Sequence, residues 1–219
     1  MIDTLQTLAD TVMLGGPVLI LLLLLSIVSL AVIIMKAQQF RRENVGKHDR
    51  CLEAIKHIDR GDKEAAQSSV ATSQNHLGQL MRMALGTTIT GDARQRLESE
   101  AEGTFLKLES GLRFLDFVSQ VAPLLGLFGT VLGMIEAFQA LQEAGSQVDP
   151  SVLAGGIWVA LLTTAAGLAV AMPVSMALAW LEGQLDQDRA MADRILNSVA
   201  FPLSSPEGVE ALAAKPANV

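Results

Sequence analysis

The chain has 219 residues, half of them hydrophobic and 18% charged, with a formal net charge of −7. Soluble domains carry about 25% charged residues, and here the deficit is concentrated: Thr11–Met35, Phe117–Ile135 and Pro150–Leu181 hold no Asp, Glu, Lys or Arg, so all 39 charges lie elsewhere. That excludes a soluble globular enzyme; the acidic balance excludes a nucleic-acid surface, and the single Cys51 excludes an intramolecular disulfide framework and a cysteine metal site.

A bilayer core of about 30 Å is crossed by about 20 apolar residues in helix, and each uncharged window meets or nearly meets that length. Met1–Asp10 carries two aspartates and no base, and the first window is too long for a cleaved leader. Residues 1–13 are therefore read as a short outer N-terminus and 14–36 as a retained first span. Pro17 is tolerated there because a helix start leaves its N–H position unpaired anyway. The leucine run Val18–Leu25 is expected to face lipid.

Residues 37–116 read as a helical segment. Leu52, Ile55 and Ile58 form one apolar stripe, Gly61-Asp62 ends that helix and caps the next, and Leu77, Leu80, Met81, Ala84 and Leu85 recur at helical spacing. Asp92 is the expected N-cap of one long helix reaching about Leu141, with Leu97, Ala101, Phe105, Leu108, Leu112 and Leu115 on one stripe. His48, His57 and His76 have no metal-ligand spacing and are read as surface histidines; no metal site is expected. The second span is 117–141, a short acidic loop follows at 142–151, the third span is 152–181, and 182–219 is a C-terminal helix with a loose tail from Phe201.

All sixteen Lys and Arg fall in three places: five in 36–50, eight in 56–113, and Arg189, Arg194 and Lys215 at the end. By the positive-inside rule the N-terminus and the 142–151 loop are outside, and the 37–116 segment and C-terminus are cytoplasmic. Trp158 and Trp180 are 22 residues apart, or about 33 Å of helix, so they either mark the two interfaces or simply pack.

The second and third spans carry small-residue faces. Gly126, Gly129 and Gly133 flank Thr130 in the second. In the third, Gly155, Val159, Thr163, Gly167, Ala171, Ser175 and Ala179 recur at every fourth position beside Gly156, Ala160 and Thr164. Glycine faces serve ordinary helix packing in membranes, and a threonine can bond its own helix. Together, Thr130, Thr163 and Thr164 can also line a narrow polar path, because a hydroxyl offers oxygen to a small cation or orients a water. Glu136, near the outer end of the second span, is read as reaching water.

Three stretches, GGPVLILLLLLSIVSLAVII, VAPLLGLFGTVLGMIEAF and LAGGIWVALLTTAAGLAVAMPVSMAL, resemble the three spans of the MotA/TolQ/ExbB family in their order and in the long segment between the first two. Three spans resemble the ExbB/TolQ branch rather than the four-span MotA branch. The resemblance implies an all-α integral membrane protein of the bacterial inner membrane, with a periplasmic N-terminus and long helices extending into the cytoplasm. It further implies a ring of identical subunits, a pentamer, enclosing the single-span helices of an ExbD/TolR-like partner dimer. Ion flow through that ring energises envelope work such as TonB-type import, with no cofactor beyond the translocated ion. Thr130 and Thr164 match the family's pore threonines, with Thr163 beside them. The family's G-I-x-E-A-L-L motif reads Gly156-Ile157-Trp158-Val159-Ala160-Leu161-Leu162 here, so Val159 stands at the glutamate position. Either an aspartate on the partner carries the ion past a threonine lining, or the chain is an inactive natural member or a mutant of an otherwise active one. The VALLTT run is also similar to sodium-driven stators, so proton is the first choice of ion and sodium the second. The competing reading is a non-conducting scaffold that holds partner helices on its Gly/Ala faces. A membrane enzyme would need converging catalytic groups, which the sequence does not display.

Overall fold

The computed structural model describes residues 16–71, 73, 75–87, 90–144 and 150–205. The expected N-terminus 1–13, residues 145–149 of the expected 142–151 loop and tail residues 206–219 lie outside the described residues. The described chain forms seven helices: α1 Gly16–Glu43, α2 Asp49–Asp59, α3 Lys63–Ala71, α4 His76–Leu85, α5 Gly91–Glu109, α6 Leu112–Ala144 and α7 Pro150–Ala200. They divide into two compact units, one from the described parts of Met1–Lys36 and Gly111–Trp180, the other from Ala37–Ser110 and Leu181–Val219. α1, α6 and α7 are each long and apolar enough to cross a membrane.

In the first unit, α1 exposes Ile20, Leu21, Leu23, Leu24, Ile27 and Leu30, as a helix surrounded by lipid does. The leucine run does not face outward on every side, however. Val18, Leu19 and Leu22 are buried, and Ser29 and Lys36 continue their strip. Leu22, Ser29 and Lys36 are seven residues apart, close to two turns each. The Ser29 hydroxyl donates to the Leu25 carbonyl at 2.6 Å, so its burial leaves no donor unpaired.

α6 and α7 are antiparallel and meet through small residues. A Cβ at Gly156 would lie 2.5 Å from that of Ala137, and one at Gly133 would lie 3.2 Å from that of Ala160. At Gly129 it would lie 2.6 Å from the Thr163 Cβ, and at Gly167 it would lie 2.5 Å from the Ala122 carbonyl oxygen. The buried positions Ala160, Thr163, Gly167, Ala171, Val174, Leu178 and Leu181 mix steps of three and four. A strict step of four gains about 40° on the 3.6-residue turn each time. That drift corrects the expected row: Gly155, Ser175 and Ala179 rotate off the seam and are exposed. A Cβ at Gly155 meets nothing within 4 Å, so Gly155 is not a packing glycine within this chain. Trp158 and Trp180 are both exposed; neither packs inside the chain.

The long helix expected from Asp92 to Leu141 is two helices. Ser110 is extended, with φ −54° and ψ 127°, and Gly111 has φ +89°. That left-handed conformation is one an L side chain rarely adopts, and a Cβ at Gly111 would also press on Lys36 Cε at 3.2 Å. The N-cap of α5 is Thr90, whose hydroxyl accepts from the Ala93 N–H at 3.4 Å; Asp92 lies in the first turn instead.

The second unit is built like a small soluble domain. The stripes Cys51–Ile55–Ile58 of α2 and Leu77–Leu80–Met81–Ala84 of α4 are buried, and α2, α3 and α4 pack in succession. Asp62 Oδ1 caps α3, accepting from the Ala65 N–H at 3.0 Å. Asn75 Oδ1 caps α4 through the Leu77 N–H at 2.9 Å. Arg82 donates to the carbonyls of Val70 at 2.7 Å and Ser73 at 2.8 Å, satisfying the end of α3. Phe201–Ser205 is not loose: the Leu203 N–H donates to Asp59 Oδ1 at 3.4 Å and the Ser205 N–H to the Pro202 carbonyl at 2.9 Å.

The seam between α6 and α7 leaves no room for larger side chains. Gly167→Leu would drive atoms into backbone and is expected to cost roughly 3 kcal/mol or more, beyond ordinary overpacking. Gly155→Ala should be neutral or slightly stabilising. Thermal unfolding of the detergent-solubilised chain checks both.

Candidate functional site

Thr163 is fully buried in the seam. Its hydroxyl lies 2.7 Å from the Ala160 carbonyl, one turn back on α7, and 3.2 Å from the Gly126 carbonyl of α6. Thr164 Oγ1 lies 3.2 Å from the same Gly126 oxygen. Two adjacent hydroxyls thus converge on one carbonyl of the neighbouring helix. They reach it because Gly126 lets the backbones meet: a Cβ there would stand 2.9 Å from the Thr163 carbonyl oxygen and 3.0 Å from Thr164 Cα. Thr130 is half-buried and donates to its own helix, at 2.6 Å from the Leu127 carbonyl. Val159 is half-buried one turn before Thr163, and Glu136 is exposed on α6.

The structure therefore joins Thr163, Thr164 and Gly126 into one cluster. Gly129 and Gly167 pack against it, and Gly133 and Gly156 extend the seam. A hydroxyl that donates its proton to a carbonyl keeps lone pairs free to accept from a water or to face a cation.

The second unit holds a cluster that spacing along the chain conceals. Asp188 of α7 is fully buried. Its Oδ1 accepts from the Gly46 N–H at 2.8 Å and lies 2.7 Å from His48 Nε2. Its Oδ2 lies 3.0 Å from His76 Nε2, at ion-pair range but off the line of a well-directed hydrogen bond. His48 and His76 are thus not free surface histidines: they are largely buried around one carboxylate. Burial pushes the Asp188 carboxyl up, but the contacts from His76, His48 and the Gly46 N–H outweigh it and hold it below its ordinary value. Asp188 lies beyond the uncharged window that ends at Leu181. The Cys51 thiol is pushed up to about 11, by burial and then by the Asp188 charge, so it stays protonated and inert. No group of three or more His, Cys, Asp or Glu among the described residues is arranged to hold a metal ion.

Three helices long and apolar enough to cross a membrane, two of them seamed by glycine, have the character of an integral membrane protein. A family model described as the MotA/TolQ/ExbB proton channel family matches residues 71–193, more than half of the chain. The chain belongs to this family, in its ExbB/TolQ-like branch. It is 40% identical over 108 residues to the biopolymer transport protein exbB1 of Vibrio cholerae serotype O1, a match covering 47% of each chain. It is 27% identical over 184 residues to the biopolymer transport protein ExbB of Neisseria meningitidis serogroup A, covering 76% of this chain and 83% of that one. It is 47% identical over 70 residues to the Tol-Pal system protein TolQ of Haemophilus influenzae, covering 32% and 30%. In the first and third of these matches the chain spans about half of the relative's length or less. The family and the three apolar helices together make this a bacterial inner-membrane protein.

Because the folded state holds the Asp188 carboxyl low, its contribution to stability is present above the ordinary aspartate value and is lost as pH falls through the lower folded value. Thermal stability of the solubilised chain should therefore fall below about pH 4, and Asp188→Asn should flatten that fall. Asp188→Leu, which strands two imidazoles and an N–H, should cost about 3 kcal/mol or more.

Proposed function

We propose that the chain is the wall-forming subunit of an ion-driven motor. Identical copies form a ring, a pentamer by family resemblance, around the single transmembrane helices of an ExbD/TolR-like partner dimer. Passage of protons down their gradient, or of sodium, drives motion that the partner carries to the envelope in work such as TonB-type import. The N-terminus is periplasmic and the 37–116 segment and C-terminus are cytoplasmic, as the placement of Lys and Arg favours.

The observation that carries this reading is the convergence of Thr163 and Thr164 on the Gly126 carbonyl inside windows that hold no charge. Buried oxygen in an apolar span is costly unless it is used or paired. With Val159 at the position of the family's glutamate, this chain brings no carboxylate to that level of α7. The titrating group is then an aspartate of the partner helix, and Thr130, Thr163 and Thr164 supply the polar lining it moves against.

One observation favours the scaffold reading instead: all three hydroxyls already reach carbonyls of this chain, so packing alone accounts for their protons. The two readings differ in outcome. As a motor, Thr130→Ala/Thr164→Ala abolishes partner-dependent envelope work while the complex still purifies intact, and Val159→Glu is tolerated or activating. As a scaffold, the double variant works normally. Replacing sodium by potassium in the same assay names the ion: activity persists for protons and collapses for sodium.

A further inference from the structure

We propose that the second unit carries a proton-responsive latch, in which His48 and His76 close on Asp188 and grip it more tightly when one imidazole takes up a proton. Three separate segments meet there: the 44–48 turn after α1, the first residue of α4, and α7. The turn is shaped for the contact. Gly46 has φ +80° and presents its N–H to Oδ1, while Asn75 holds the turn from below by donating to the carbonyls of Asn44 at 3.0 Å and Lys47 at 3.2 Å.

Proton counting gives the device its direction. An ionised carboxylate only accepts, and a neutral imidazole has one N–H to give. If both rings are neutral, the cluster carries a buried charge of minus one. Each ring must then hold its hydrogen on Nε2 to serve Asp188, which leaves His76 Nδ1 a bare buried acceptor with no partner among the described residues. One added proton brings the cluster to zero net charge and turns a neutral contact into an ion pair. Buried net charge is the expensive state, so the singly protonated latch is the tight one and the deprotonated latch the loose one. Histidine is the side chain whose charge changes in the neutral range.

The neighbours support that direction. Glu43 of α1 and Glu100 of α5 line, with His76, a cavity of about 210 Å³, so the charged groups beside that ring on α1 and α5 are anionic. Cys51 of α2 is a neutral thiol. Lys47 in the turn is hydrogen-bonded to Asn44 Oδ1 at 3.0 Å. Arg189 of α7 is held by Glu109 and Glu102, at 2.5 and 3.3 Å. It stacks 5.5 Å from the centre of Phe105, whose ring meets His76 edge-on. The guanidinium next to Asp188 in the chain is therefore already matched by two carboxylates. The latch stands independently of the ion pathway proposed above, although α7 carries both.

Hydrogen–deuterium exchange of the full chain in lipid nanodiscs tests it, with the proton as the only probe and rates corrected for intrinsic exchange. Peptides covering 44–50 and 75–82 should exchange severalfold more slowly at about pH 6 than at about pH 8. His48→Gln/His76→Gln keeps an N–H donor and cannot titrate, so that difference should vanish. If the double variant does not fold, His48→Gln alone should shrink it. Equal protection at both pH values in the unmodified chain, or an undiminished difference in either variant, would overturn the latch.

Discussion

The close approach of the α6 and α7 backbones governs the membrane unit. In lipid, burying one apolar side chain against another gains little over burying it against acyl chains, so helices associate through van der Waals fit and shared polar contacts. Four glycines of this seam, Gly126, Gly129, Gly156 and Gly167, have at least one atom of the other helix closer than a side chain would allow. That fit fixes the register of an antiparallel pair. It also brings the Thr163 and Thr164 hydroxyls to an acceptor on the opposite helix. Without the glycines, the hydroxyls would face only their own turn, as Thr130 does.

The two units use opposite strategies for polarity. Within its uncharged windows the first pairs the hydroxyls of Ser29, Thr130, Thr163 and Thr164 with carbonyls, as a medium without water demands. The second buries an ionised group, Asp188, and surrounds it with an N–H and two imidazoles. Its helices are stopped and started by side-chain caps at Asp62, Asn75 and Thr90. One helix, α7, contributes residues to both units. Its sequence changes character at Leu181, where the uncharged window ends and Glu182, Asp186, Asp188 and Arg189 follow.

Much of this was legible in the chain. Uncharged windows identify the three long helices because charge exclusion is a property of composition, not of contacts. Most of the α2 and α4 stripes is visible because 3.6-residue periodicity survives in short helices, although Leu52 and Leu85, expected on them, are only half-buried and Cys51 is buried in place of Leu52. Three features were not. The break at Gly111 is silent, since Leu108, Leu112 and Leu115 keep helical spacing through it, while the extended Ser110 and the positive φ of Gly111 end the helix. The every-fourth-residue row of the third span overstated the seam, because its drift carries Gly155 and Ser175 away from it. The Asp188 cluster joins residues 140 and 112 positions apart, and a sequence without contacts offers no reason to associate two histidines with one carboxylate. The signal available was Asp188 on the buried phase of α7, three residues after Leu185.

The most direct measurement of the seam is an intramolecular cross-link. Cβ atoms at positions 133 and 160 would stand 3.2 Å apart, a few tenths short of the disulfide mean of about 3.8 Å. In a Cys51→Ser background, Gly133→Cys/Ala160→Cys should therefore oxidise within single chains, leaving the protein monomeric on a denaturing gel and blocked to thiol reagents. Thiols that stay free under oxidation, or that link only different copies, would contradict the pairing of α6 with α7 in one chain and the threonine cluster built on it.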